Sequence, residues 1–274
     1  MKLVLAGLVG LLAVSCTVRA SELGLRILQS TDRAVTIGTQ AFSVTVHSSG
    51  RIDALQAGGI NYVAFIALYT SLSSFDTDNT VRAVQGEGGR GIGPLPDAVS
   101  AEKRGDRYFI AIKRTAARQE ICGGRPLYHL DETVEVAPNG VLRVRYEFAW
   151  LRFFAIGKPA VYVALTGDTF RDLTFWADYT THCQRGTFGG GNGYATFEQL
   201  RGPLRALRVD CPSGPFDIWI YADGSVTSAR WGEQYSSLGL HVPKATGTVY
   251  SGVASVVEFV IKVPLPGTEQ GGVE

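Results

Sequence analysis

The sequence predicts an all-β protein, a large antiparallel β-sandwich, and three observations carry that expectation. Apolar and polar residues alternate with a period of two through most of the chain. Gly, Pro, Asn and Asp interrupt the alternating runs at short intervals, as turns between strands do. Hardly any stretch shows the 3.6-residue apolar period and the caps of a helix. About fifteen short strands follow from this pattern. No repeat of fixed period appears, which argues against a propeller or a β-helix.

The elements can be taken in order. Residues 1–20 read as a signal peptide: Lys2 supplies the positive start, and residues 3–14 form an apolar run too short to span a bilayer comfortably. Two processing patterns fit. Val18-Arg19-Ala20 suits an ordinary signal peptidase and gives a mature start at Ser21. Ala13-Val14-Ser15-Cys16 resembles a bacterial lipoprotein box, with Cys16 as the lipid anchor. Both predict a secreted, periplasmic or cell-envelope protein, and neither leaves a membrane span. Residues 21–266 are expected to form one β-sandwich domain, because no Ser- or Pro-rich linker divides them. Residues 267–274 read as a disordered tail.

Within the domain, Phe42, Val44 and Val46 alternate with Ser43, Thr45 and His47. Ser48-Ser49-Gly50 turns the chain into residues 51–56, a hairpin. Residues 60–70 are apolar on both faces, which fits a buried strand or a short helix. Residues 85–97 are a glycine-rich loop. Gly86, Gly88 and Gly91 spell G-x-G-x-x-G there, but Gly93-Pro94-Leu95-Pro96 prevents the helix that a dinucleotide site requires, so the match is treated as chance. Strands are expected over 97–104 and 106–115 around Gly105, and over 127–137 and 141–150 around Pro138-Asn139-Gly140, where Asn and Gly accept positive φ. In the last of these, Leu142, Val144, Tyr146, Phe148 and Trp150 form one face, with Arg143, Arg145 and Glu147 on the other. Further strands are expected at 204–211, 215–222, 225–231, 235–242 and 253–264.

Composition narrows function by exclusion. The 274 residues carry a formal net charge of +1, with Lys and Arg scattered, so nothing favours nucleic acid as a partner. G-x-S-x-G, H-E-x-x-H and P-loop motifs are absent. No spacing suits zinc, and Asp76-Thr77-Asp78-Asn79 lacks the glycine and later glutamate of a calcium loop, so neither metal nor cofactor is expected. Export permits disulfides. Beyond Cys16 stand Cys122, Cys183 and Cys211, an odd number. Cys183 and Cys211, at strand ends flanking one loop, are expected to pair, leaving Cys122 free.

The order of features resembles the β-supersandwich of galactose mutarotase-like proteins. The residues that carry the resemblance are the opening hairpin Ala41-Phe42-Ser43-Val44-Thr45-Val46-His47-Ser48-Ser49-Gly50-Arg51-Ile52-Asp53-Ala54-Leu55, the turn Gly58-Gly59-Ile60-Asn61-Tyr62 and the closing strand Phe259-Val260-Ile261-Lys262-Val263-Pro264. The resemblance spans roughly residues 25–265 and implies sugar binding or sugar chemistry. The histidine motifs and late glutamate base of mutarotases cannot be placed in this chain, and fold alone does not fix function.

The expectation is therefore an exported carbohydrate-binding protein. The alternatives are a sugar-active enzyme on the same fold (aldose epimerase, polysaccharide lyase or glycoside hydrolase) and a structural envelope protein. Trp176, Tyr179, His182, Trp219, Tyr221 and Trp231 are candidate lining of a glycan site, since an aromatic ring covers the apolar face of a pyranose. Trp176 and Trp231, helped by His182 and Arg145 and close to a loop at 186–193, are the expected ligand contacts. The plain alternative is that the aromatics fill the core. For catalysis the candidates are His129 with Asp131, which share a strand face while Glu132 takes the other, together with His182 and Glu233.

Overall fold

A computed structural model describes residues 24–69, 99–117, 125–156, 159–188, 202–221, 226–231, 235–245 and 247–266. The signal-peptide segment with Cys16, the loop at 85–97 with its chance glycine motif, Asp76–Asn79, Cys122, Glu233 and the 267–274 tail lie outside the described residues.

The chain opens with a meander of five strands: β1 (Arg26–Ser30), β2 (Ala34–Gly38), β3 (Phe42–His47), β4 (Ile52–Ala57) and β5 (Ile60–Tyr69). A second meander follows in a different sheet: β6 (Glu102–Arg104), β7 (Arg107–Ala117), β8 (Pro126–Val136) and β9 (Val141–Trp150). After the short β10 (Phe154–Ile156), β11 (Ala160–Thr166) returns to the first sheet and pairs with β5. A one-turn helix (Gly167–Phe170) leads back to the second sheet and β12 (Thr174–Tyr179), β13 (Cys183–Thr187), β14 (Leu204–Cys211) and β15 (Gly214–Ile220). Then β16 (Val226–Trp231) and β17 (Tyr235–His241) extend the first sheet, β18 (Gly247–Val249) pairs with β10, and β19 (Ala254–Lys262) closes the second.

The result is an eight-stranded sheet, β1-β2-β3-β4-β5-β11-β17-β16, and a nine-stranded sheet, β13-β12-β14-β15-β19-β9-β8-β7-β6. Every pairing is antiparallel. Local alternation sets the outcome: in β9, Leu142, Val144, Tyr146, Phe148 and Trp150 are buried, while Arg143 and Glu147 are exposed. The Pro138-Asn139-Gly140 turn has Gly140 at φ 75°, and it fixes the β8–β9 register with Val136 opposite Leu142. Ile60–Tyr69 is a strand, resolving the choice between strand and helix over those residues.

The core lies between the sheets. Tyr62 of β5 stacks on Phe216 of β15 with centroids 5.7 Å apart, and Phe170 meets Phe216 edge-on at 5.0 Å. Phe148 stacks on Trp150, whose indole N–H donates to Ser255 Oγ at 3.0 Å; that hydroxyl donates in turn to the Pro243 carbonyl. Each polar atom of this group is thus satisfied where burial would penalise a lone one.

One buried ion pair interrupts the apolar core. Arg114 of β7 and Glu132 of β8 face inward and meet at 2.7 Å, and Arg114 also donates to the Ser49 carbonyl in the β3–β4 turn. The guanidinium therefore ties the two sheets together. Gly50 sits against this pair at φ 79°, and a Cβ there would collide with both charged groups. Burial pushes Glu132 up to about 7 despite the charge of Arg114. Tyr146 stands directly opposite Glu132 on β9, and the two are buried together; the charge of Arg114 and the Tyr146 hydroxyl lower the carboxyl by less than burial raises it.

Candidate functional site

The outward face of the nine-stranded sheet carries the chemistry. Alternation on β12 sends Phe175, Ala177 and Tyr179 into the core and leaves Trp176 outward, 44% exposed. Register then lays a row across the sheet: Arg185 (β13), Trp176 (β12), Arg208 (β14), Asp217 (β15) and Lys262 (β19). The Arg185 guanidinium lies over the indole of Trp176, 4.8 Å from its centroid. Arg208 grips Asp217 through two hydrogen bonds of 2.6 and 3.1 Å. The next row runs Asp178, Ala206, Trp219, Val260 and Arg143. Trp176 and half-buried Trp219 therefore stand on one face, two strand widths and one row apart, about 12 Å. The small side chain of Ala206 and the Arg208–Asp217 pair lie between them.

Arg145 occupies the same outward face, on β9. It pairs with Glu258 at 2.9 Å and Glu147 at 3.0 Å, and Arg143 holds Glu258 from the other side. Burial alone would raise the Glu258 carboxyl, but hydrogen bonds and charge from Arg143 and Arg145 hold it below the usual range. Three strands separate Arg145 from Trp176, about 19 Å across the sheet. A single sugar ring does not touch both.

The remaining candidates are dispersed. His182 is exposed, stacked on Tyr179 at 4.7 Å and bonded through Nδ1 to Thr181 at 3.0 Å. Trp231 belongs to the other sheet, on β16, so it does not share the face of Trp176; its side chain lies outside the described residues. His129 and Asp131 share the outward face of β8, but each takes a cross-strand partner. His129 Nδ1 bonds Thr115 at 2.8 Å, and Asp131 stands 3.7 Å from Lys113. Among the described residues no cluster of three or more His, Cys, Asp and Glu side chains could hold a metal.

The expected disulfide is corrected. Cys183 and Cys211 are free thiols. Cys183 pairs in register with Asp178, which faces Ala206 on β14, while Cys211 ends that strand. From Ala206 to Cys211 is about 17 Å along the strand, whereas a bridge requires Cα atoms within about 7 Å. Sequence adjacency to one loop misled because the sheet sets the two cysteines at opposite ends. Burial pushes the Cys211 thiol up to about 12, the environment of an inert structural cysteine.

One histidine–carboxylate unit escaped the sequence reading. On the outward side of the eight-stranded sheet, His47 Nε2 stands 2.9 Å from Asp53 Oδ2, and Arg51 Nε donates to the other oxygen at 2.6 Å. Arg51 is itself held over the Phe65 ring at 4.8 Å. Burial would raise the Asp53 carboxyl, but hydrogen bonds from His47 and Arg51 keep it low. Both residues lie in the hairpin read from sequence. The signal was a His and an Asp flanking one turn on the same strand face, brought together on a diagonal.

No family model matches the chain, and no curated protein matches it either. Solved structures do. Galactose 1-epimerase from Lactobacillus acidophilus superposes with a TM-score of 0.52 at 11% identity, covering 89% of this chain and 99% of that one. A galactose mutarotase-like protein from Clostridium acetobutylicum gives a TM-score of 0.50 at 7% identity, covering 88% and 99%. The chain has the galactose mutarotase-like fold, a β-sandwich of two large antiparallel sheets. At such identities the likeness concerns architecture alone.

Proposed function

We infer that this chain is an exported carbohydrate-binding protein and that a glycan lies across the outward face of its nine-stranded sheet, over Trp176 and Trp219. The observation that carries this reading is the exposure of Trp176, 44%, on a strand whose other aromatics are buried. A core tryptophan on the same sheet, Trp150, is 1% exposed. Exposed indole flanked by charged hydrogen-bonding groups suits a pyranose, whose apolar face stacks while its hydroxyls are bound around it. The carbohydrate-related neighbours of the fold support the same ligand class. Export rests on the apolar run at 3–14 with its two processing patterns.

A glycan array probed with the wild type and with Trp176→Ala tests the reading. The wild type is expected to bind, and the variant to lose binding with a thermal melt near that of the wild type. A folded wild type that binds no glycan overturns it.

A second reading, a sugar-active enzyme, is favoured by a different observation. Asp53 orients the His47 ring through Nε2 and is itself held by Arg51, the arrangement of an oriented acid–base group. Turnover of sugar substrates that His47→Asn abolishes without loss of fold would support it. Turnover unchanged in that variant would exclude this histidine.

A further inference from the structure

The arginines of the outward face are not alike. Arg104, Arg107, Arg143, Arg145 and Arg208 each meet a carboxylate within salt-bridge distance. Arg185 does not: its one contact among the described residues is the indole of Trp176. The Arg185 guanidinium thus lies against the most exposed tryptophan among the described residues, with no carboxylate partner among them. The nearest acid in register, Asp178, accepts a hydrogen bond from the Cys183 thiol at 3.4 Å instead.

Two facts make this an arrangement for a ligand. Arg185 already covers part of the indole, yet Trp176 remains 44% exposed, so ring surface is left for a second stacking partner. A guanidinium held on an aromatic ring also keeps its N–H edge free, and that edge matches the oxygens of a carboxylate or a sulfate. Stacking and charge are offered side by side, at the separation of a sugar ring and its acidic substituent.

We propose that the Trp176–Arg185 pair is a subsite for an acidic sugar, a pyranose bearing a carboxylate or a sulfate ester. This rests on the carbohydrate-binding reading above and names its ligand class. The indole takes the apolar face of the ring. Arg185 takes the anionic group. The pair Arg208–Asp217, being internally neutralised, contributes hydrogen bonds to hydroxyls.

The test is affinity electrophoresis and calorimetry of the full chain against three polysaccharides: polygalacturonate for the carboxylate, dextran sulfate for the sulfate ester, and unmodified dextran as the neutral reference. Binding to one or both acidic polymers is expected at least tenfold tighter than to dextran, weakening as salt rises. Which acidic polymer binds better identifies the anionic group. Arg185→Gln is expected to weaken acidic binding by about tenfold and to change any dextran binding by much less, so that the preference for acidic polymers falls. Trp176→Ala is expected to remove both, whereas non-specific polyanion binding would survive it and overturn the proposal. Equal affinity for neutral and acidic polymers, or a preference that Arg185→Gln does not reduce, overturns the acidic specificity while leaving carbohydrate binding intact. Failure to bind any of the three polymers, together with an array that shows no glycan ligand, overturns both.

Discussion

Two glutamates of the nine-stranded sheet, Glu132 and Glu258, both meet arginine, and their environments drive them in opposite directions. Glu132 faces inward, against one guanidinium and an apolar core, and burial pushes its carboxyl up to about 7. Glu258 faces outward between Arg143 and Arg145, and its carboxyl is held below the usual range. The difference is the balance between burial and the arginines that face each carboxyl. Inside, one arginine does not offset the loss of water; at the outer face Glu258 also loses water, but two arginines more than offset a smaller loss. The inner pair ties the sheets together at a cost in free energy. The outer one belongs to a charged surface open to a ligand.

Breaking the inner pair should have the largest effect. Arg114→Ala leaves a buried carboxyl without its cation and the Ser49 carbonyl without its donor. A loss of about 3–5 kcal/mol in urea denaturation is expected. Replacing both partners, Arg114→Met with Glu132→Leu, should recover most of it, because apolar neighbours then replace the uncompensated charge.

The pH dependence comes next. Glu132 has its folded pKa raised to about 7 from an ordinary value of 4.5, so the folded state binds more protons between those values. Its stabilising share is complete below about 4.5 and is lost as pH rises through about 7, on the order of 3 kcal/mol in all. Glu258 and Asp53, whose carboxyls are lowered, act with the opposite sign and at lower pH, losing their share as acid protonates them. Denaturation at pH 5 and pH 8 should find the protein less stable at pH 8, and Glu132→Gln should flatten that difference.

The smallest effect is expected outside. Glu258→Gln loosens Arg143 and Arg145, which are about half exposed, and should cost about 1 kcal/mol or less. A loss as large as that of Arg114→Ala would mean that the two faces of the sheet do not differ as described.

Much of the fold was legible because it is local. Period-two alternation in β9 and the Pro138-Asn139-Gly140 turn specify strand, face and register without reference to the rest of the chain. What depends on distant register was not legible. Cys183 and Cys211 looked paired from their shared loop, yet β14 carries them apart. His129 and Asp131 share a face as alternation requires, but cross-strand neighbours Thr115 and Lys113 claim them. Trp176 and Trp231 were grouped by composition, and strand order divides them between sheets. Arg114 and Glu132 did leave a trace, since each occupies an apolar position in its strand's alternation, after Ile112 and between Leu130 and Val134. A charge at an inward position on each of two neighbouring strands marks a buried ion pair, but that two such charges meet depends on the β7–β8 register.

The central claim is that the outward tryptophan receives a glycan and the inward one does not. Nitrogen-15 spectra of the indole N–H groups test it most directly, since the chain has four tryptophans and substitution with Phe assigns each resonance. On titration with a glycan that binds, the Trp176 resonance is expected to move most, Trp219 with it, while Trp150, hydrogen-bonded to Ser255 in the core, stays in place. Unmoved Trp176 and Trp219 resonances at a glycan concentration that saturates binding by calorimetry would contradict the account.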